Sequence, residues 1–239
     1  MHVTVIGCSP AWPNAGSAQS GYLVEAEGRR LLLDCGPGVL ARLRELHGGW
    51  PLVDAVAITH FHLDHWGDLV PWIFGAAFGP GRAAPPPELW LPPGGLERLT
   101  SFGNQMAFTE RIDTAFRTRE YEDSAFAAAG LTVTPYRLDH YSELTYGFRI
   151  SNHTKTLAYS GDTGPSPRLT ELARDADLFL CEATLRDPEP AERGHLSEDE
   201  AMAAFHASGA RRLVVIHRPS ELPLADGVER AEDGDVLRL

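Results

Sequence analysis

Long basic blocks are absent from this 239-residue chain, and its formal net charge is −12. Grip on a long nucleic acid comes from Lys and Arg neutralising phosphates, so that class of partner is disfavoured. A small anionic substrate stays open, because bound metal ions supply local positive charge. Cysteine is scarce as well. Cys8, Cys35 and Cys181 are odd in number and widely spaced. That argues against a disulfide framework and makes a reducing, cytoplasmic compartment the expectation. No apolar run reaches the roughly 18 residues that a membrane span needs. The N-terminus enters a strand-like Val3-Thr4-Val5-Ile6 directly, without the basic and apolar regions of a secretory signal.

What the chain does have is a dense polar cluster. Thr59-His60-Phe61-His62-Leu63-Asp64-His65 follows the apolar run Val53-Asp54-Ala55-Val56-Ala57-Ile58. That run is short and largely apolar, with Pro51 upstream, so it reads as a buried strand. The histidines then fall at the strand's C-terminal end, where α/β layers place their chemistry. Imidazole and carboxylate are natural ligands of a borderline metal such as zinc. In an extended loop His60 and His62 point the same way, while Asp64 and His65 follow the turn and can face a second ion.

At 43% apolar content the chain can bury a large core. Two strands meet at Glu27-Gly28, a hairpin signal. Helices are expected over about 39–47, from Asp68 as cap to about Phe78, over 96–107, after Pro167, and from Ser197 to near Gly209, with Ser197 and Glu200 as a capping box. The Pro-rich and aromatic stretch 79–129 suits either a lid or a homodimer surface, and within it and just beyond, 108–130 shows no clear periodicity. Further strands are expected at 131–138, 144–151, 156–160, 178–181, 212–216 and 235–239. Five strand-like segments thus end in a polar candidate: His60, His140, Asp162, Glu182 and His217. Convergence on one sheet edge is the natural reading. Trp66, Trp72, Phe74 and Phe78 either line a mouth or pack a core, and Arg218 has two readings, a phosphate contact or a surface ion pair.

The motif H-x-H-x-D-H, with the later strand ends, resembles the metallo-β-lactamase superfamily over nearly the whole chain. The resemblance implies an α/β fold, a four-layer αββα sandwich of two half-repeats, as one hydrolase domain over 1–239. It implies two divalent metal ions, zinc first and manganese or iron as alternatives. His60, His62 and His140 would hold one, Asp64, His65 and His217 the other, and Asp162 would bridge them. Asp34 matches an acidic residue that steadies the histidine loop. Leu180-Cys181-Glu182-Ala183-Thr184, Gly194-His195-Leu196-Ser197 and Val214 to His217 are similar to the ribonuclease Z branch. There a histidine outside the metal shell, paired with a glutamate, assists phosphodiester cleavage; the matching residues are His195 and Glu182, with Asp64 as an acceptor near the attacking water. Only 21 residues separate His140 from Asp162, too few for the tRNA-gripping arm of long-arm ribonuclease Z. The compact form, with Ser160-Gly161-Asp162-Thr163-Gly164, is similar to actinobacterial atypical class II cyclic-nucleotide phosphodiesterases. A small phosphodiester such as a 3′,5′-cyclic nucleotide is the expected substrate. Ribonuclease Z-like RNA cleavage, ester, lactone or thioester hydrolysis, and a non-catalytic metal-bearing carrier are the alternatives.

Overall fold

The computed structural model describes residues 1–239. Six strands come first and build most of one sheet: β1 (His2–Gly7), β2 (Gly21–Ala26), β3 (Arg29–Leu33), β4 (Ala55–Ala57), β5 (Glu88–Leu91) and β6 (Arg117–Glu120). The next six form a second sheet: β7 (Phe126–Ala128), β8 (Leu131–His140), β9 (Glu143–Ser151), β10 (Thr156–Tyr159), β11 (Leu178–Glu182) and β12 (Leu213–Ile216). The last strand, β13 (Val236–Arg238), returns to pair with β1. Glu27 and Gly28, both at positive φ, turn the chain between β2 and β3. That is the primed turn whose twist suits a two-residue hairpin.

Strands β3 to β6 run parallel, as do β10 to β12. Parallel neighbours need crossovers, and helices provide them. Helix α1 (Val39–His47) links β3 to β4. Helices α2 (Leu63–Trp66) and α3 (Leu69–Phe78) lie between β4 and β5, and α4 (Gly95–Gln105) and α5 (Ile112–Ala115) between β5 and β6. Helix α6 (Pro167–Ala173) links β10 to β11, and α7 (Glu198–Ser208) links β11 to β12.

Strand alternation divides the apolar residues between layers. Leu31 and Leu33 of β3 face the second sheet, where they share a core with Leu178 and Leu180 of β11 and with Phe148. Leu32 points the other way, into a core with Leu43, Trp72 and Leu99 from the helices. Phe179 and Cys181 likewise pack against Leu169, Leu172 and Ala201. Three apolar layers between two sheets and two helical faces make the αββα sandwich expected from the sequence.

Some local readings change. Residues 108–130 contain a 3-10 turn (Thr109–Arg111), α5, β6 and β7. β6 is an edge strand with mostly exposed residues, so it carries no apolar alternation to read. Asp68 stands at the start of α3 but makes no side-chain cap there. Its Oδ2 accepts the Leu40 N–H at 2.8 Å instead, at the start of α1. Trp66 and Trp72 are buried in the core, whereas Phe74 and Phe78 are exposed and stack on each other. Arg218 makes an ion pair with Glu198, Nη2 to Oε2 at 3.7 Å, but not at the surface. It is buried, and its guanidinium donates to the carbonyls of Ala183, Leu185, Leu222 and Pro223. The three cysteines are buried and free. No helix is long and apolar enough to cross a membrane.

Candidate metal centre

The C-terminal ends of the central strands from both sheets meet at one edge. His60 follows β4, His140 ends β8, Asp162 follows β10, Glu182 ends β11 and His217 follows β12. The short α2 turns the histidine loop so that Asp64 and His65 face inward beside His60. Three groups of potential metal ligands result; Glu182, His195 and His217 form one, and the other two share Asp162. Of those two, one holds His60, His62, His140 and Asp162; the other holds Asp64, His65, Asp162 and His217. Within each group the ligand atoms lie within 4.8 Å of one another. Asp162 is common to the latter two. Its Oδ1 is 3.2 Å from His65 Nε2, and its Oδ2 is 3.5 Å from His217 Nε2 and 3.9 Å from His60 and His140 Nε2.

Hydrogen bonds on the opposite ring atoms fix which nitrogen looks inward. His65 Nδ1 donates to Asp34 Oδ2 at 2.7 Å, and His140 Nδ1 donates to the Gly194 carbonyl at 2.6 Å. His60 Nδ1 donates to Thr59 Oγ1 at 3.0 Å, and that hydroxyl donates on to Asp34 at 2.9 Å. His217 Nδ1 donates to Thr184 Oγ1 at 2.8 Å, which donates on to Glu182 Oε2 at 2.7 Å. Each acceptor turns Nε2 inward, where it can offer a lone pair to a cation. His62 is the exception in orientation: its Nδ1 approaches His140 Nε2 at 2.8 Å.

Three of the inward atoms lack partners, while His217 Nε2 meets Asp64 Oδ2 at 3.1 Å. His60 Nε2, His65 Nε2 and Asp162 Oδ1 are buried with no hydrogen bond. The 3.2 Å approach of His65 to Asp162 is close but not aligned as one. Buried lone pairs without donors are costly. Imidazole nitrogens and carboxylate oxygens converging in this way are what a divalent cation coordinates, so the residues fit such an ion.

A family model, the Beta-lactamase superfamily domain, matches residues 29–218. The chain belongs to the metallo-β-lactamase superfamily. The uncharacterized protein Rv1339 of Mycobacterium tuberculosis is 33% identical over 247 residues, covering 99% of this chain and 88% of its own. The probable metallo-hydrolase YhfI of Bacillus subtilis is 31% identical, covering 92% of this chain and 87% of its own. The crystal structure of YhfI superposes with a TM-score of 0.84 at 26% identity, over 99% of both chains. Ribonuclease Z of Mycobacterium bovis is 29% identical, covering 91% of this chain and 85% of its own. Together these make the chain a metallo-β-lactamase-fold hydrolase of the ribonuclease Z-like branch.

Electrostatics in this metallo-β-lactamase site follow from burial against charge. Burial works against the Asp64 carboxylate, but the His65 and His217 imidazoles hold it well below the usual carboxylate range. Asp162 behaves alike: burial opposes its charge, and His217 and His65 outweigh burial. Burial pulls the His60 imidazole down, reinforced by the charge of His65.

His195 belongs to neither ligand group with Asp162. Its Nδ1 donates to Glu182 Oε1 at 2.8 Å, and its ring lies 4.8 Å from that of His140 and 5.6 Å from that of His217. Burial lowers its basicity, but the Glu182 carboxylate outweighs burial and pushes the pKa up to about 9. Glu182 is fully buried and accepts from Thr163 N, Thr184 N, Thr184 Oγ1, Leu196 N and His195. Such a set of donors holds a carboxylate in one orientation.

All seven ligand candidates, with His195 and Glu182, therefore share one edge. Sequence reasoning gave no role to Thr59, Thr184, Tyr159 or Gly194. Tyr159 Oη donates to Asp34 Oδ2 at 2.5 Å. For the two threonines the signal was available, since each sits beside a strand-end acid or histidine: Thr59 precedes His60, and Thr184 is two residues after Glu182. Gly194 acts through its backbone, which composition does not display.

Proposed function

We propose that the chain is a dinuclear-metal phosphodiesterase acting on a small phosphodiester such as a 3′,5′-cyclic nucleotide. His60, His62 and His140 would hold one divalent cation, Asp64, His65 and His217 a second, and Asp162 both; zinc suits this donor set. When bound, such cations make water a better nucleophile and offset charge on phosphoryl oxygens. The residue that carries the reading is His195, a polar ring beside both Asp162 groups yet committed through Nδ1 to Glu182. A spare, oriented imidazole is what a leaving alkoxide requires as proton donor.

In this reading Asp64 accepts a hydrogen bond from the attacking water and orients it. The water oxygen, with one proton released to solvent, forms the new bond to phosphorus, and the bond to the leaving oxygen breaks with its electron pair on that oxygen. His195 donates its Nε2 proton there. Glu182 stabilises the protonated ring before the transfer and keeps it oriented after. Thr163 N, Thr184 and Leu196 N hold Glu182 itself in place.

Ribonuclease Z in the same branch supports phosphodiester chemistry. The choice of a small substrate over tRNA is supported by the interval after His140. β9 and β10 occupy it, joined by a short turn at 152–155, with no inserted arm. The net charge of −12 points the same way.

Turnover of 3′,5′-cyclic AMP by metal-loaded protein, beside the His195→Ala variant, tests the reading. Rapid hydrolysis that collapses in the variant supports it. Absence of hydrolysis with full metal occupancy rejects the cyclic-nucleotide substrate; a screen of bis(p-nitrophenyl) phosphate, a lactone and a thioester then separates the remaining hydrolase classes.

A further inference from the structure

Next to His140 the backbone of Tyr141 adopts φ +48°, in the left-handed region that non-glycine residues avoid. Its ring packs on His195 and His140, with centroids 5.7 Å and 5.2 Å away. Its hydroxyl donates to Glu189 Oε1 at 2.5 Å, across the loop between β11 and α7. The other oxygen of Glu189 accepts the Gly194 N–H at 3.1 Å. Tyr141 N–H donates to the Arg193 carbonyl at 3.3 Å, while Arg193 pairs through one guanidinium nitrogen with both oxygens of Glu200. A Cβ on Gly194 would collide with the Tyr141 ring, so the glycine allows this approach.

We infer that Tyr141 and Glu189 are positioning residues for His195, forming a clasp that fixes the Gly194–His195 backbone against β8. Glu182 anchors the His195 ring from below through one nitrogen, but one hydrogen bond leaves the ring free to swing about its axis. The Tyr141 ring supplies a wall, and Glu189 ties that wall to the backbone immediately before His195. The same backbone carries the carbonyl that orients His140. One short segment therefore sets both a candidate ligand and the candidate acid. A strained φ at Tyr141 persists because these contacts over-determine it. The consequence for turnover rests on the phosphodiesterase reading above; the consequence for ring order does not.

The test uses full-length, metal-loaded protein. The variants are Tyr141→Phe, which keeps the wall and removes the hydroxyl, Glu189→Ala, and Glu189→Gln, which can still accept a hydrogen bond. Two readouts are taken beside metal content and thermal midpoint. One is the downfield imidazole N–H resonance of His195, assigned by its absence in His195→Ala. The other is kcat and KM on bis(p-nitrophenyl) phosphate. In protein held saturated with metal, the clasp predicts a resonance broadened by solvent exchange in Tyr141→Phe and Glu189→Ala, and kcat lowered about tenfold at little-changed KM. That is short of the roughly hundredfold that a 1 Å misplacement can cost. Glu189→Gln falls between them and wild type. A sharp resonance in Glu189→Ala overturns the inference, whatever the kinetics. If wild-type protein has no phosphodiesterase turnover, the proposed function fails alone and the resonance still decides the clasp.

Discussion

Thr59 and Thr184 are counterparts at the ends of β4 and β11, one in each sheet. Each accepts a histidine ring N–H, from His60 at 3.0 Å and from His217 at 2.8 Å. Each donates its own hydroxyl hydrogen bond to a buried carboxylate, Asp34 in one half and Glu182 in the other. Each also gives that carboxylate its backbone N–H. The likeness extends one step further. Asp34 holds a second histidine, His65, and Glu182 holds His195. His65 lies in a ligand group with Asp162, while its positional counterpart His195 lies in one without it. In the second half the same support thus carries a ring released from the Asp162 groups.

The threonine relays set the tautomer of two inward histidines, so they set metal affinity. Thr184→Val and Thr59→Val keep size and remove the hydroxyl. Each is expected to weaken metal binding by about 10- to 100-fold, the range for partners that orient metal-ligating histidines. Serine at either position should recover most of the loss. Competition against a chromogenic chelator measures it. Equal affinity in the valine variants would show that the rings hold their orientation without the relay.

The clustered histidines and the strand-end acids were legible because each rests on a local pattern, whereas the sandwich was expected only through the family resemblance. H-x-H-x-D-H is contiguous, and alternation in Leu131–Leu138 or the apolar run at Arg212–Ile216 needs no partner to be read. The relays were less legible because they join residues far apart in sequence, such as Thr184 and His217, or use backbone atoms, as Gly194 does. Arg218 misled for a related reason. An arginine beside a site histidine suggests a ligand contact, yet its donors go to four carbonyls that only the folded chain brings together. β6 escaped because an edge strand exposed along most of its length lacks the apolar signal.

Asp162 is shared by two ligand groups, so its loss should affect them together. Asp162→Ala is expected to lower metal content and turnover in parallel, measured by elemental analysis of the purified variant and by its activity. A metal-replete, fully active variant would remove Asp162 from the shared position. His195→Ala makes the contrasting case. Turnover should fall about 10²- to 10⁴-fold, the usual contribution of a positioned acid or base, with metal content unchanged. Loss of metal from this variant would make His195 structural.

Removal of metal should destabilise the fold. Without cations, the lone pairs of His60 and His65 and one oxygen of Asp162 stay buried without donors, and carboxylates crowd one another. A ligand that binds only the folded state adds about 2.7 kcal/mol when present at 100 times its Kd. The thermal midpoint should therefore fall in chelator and rise with added zinc in a concentration-dependent way. A midpoint indifferent to zinc and chelator would mean that the edge is stable unliganded, and that the convergence of these lone pairs has another origin.

Arg218 offers a test of how the second half-repeat is held. Its Nη1 donates to Ala183 and Leu185 at 2.7 Å each, its Nε to Leu222 at 2.9 Å and its Nη2 to Pro223 at 3.1 Å. Those carbonyls flank Thr184 on one side and follow His217 on the other. Arg218→Met keeps the apolar stem but strands the buried Ala183 carbonyl and three part-buried ones, at a cost of about 1–3 kcal/mol. Because Thr184 and His217 hang on the same segments, metal affinity should drop with stability. Denaturant unfolding and chelator competition on one sample measure both. Arg218→Lys keeps the charge but not the planar fork that reaches four carbonyls, so it should rescue only a fraction. Full rescue by lysine would assign the effect to charge; a stable, tightly metal-binding methionine variant would show that water satisfies the carbonyls and that the guanidinium is not needed to hold the site.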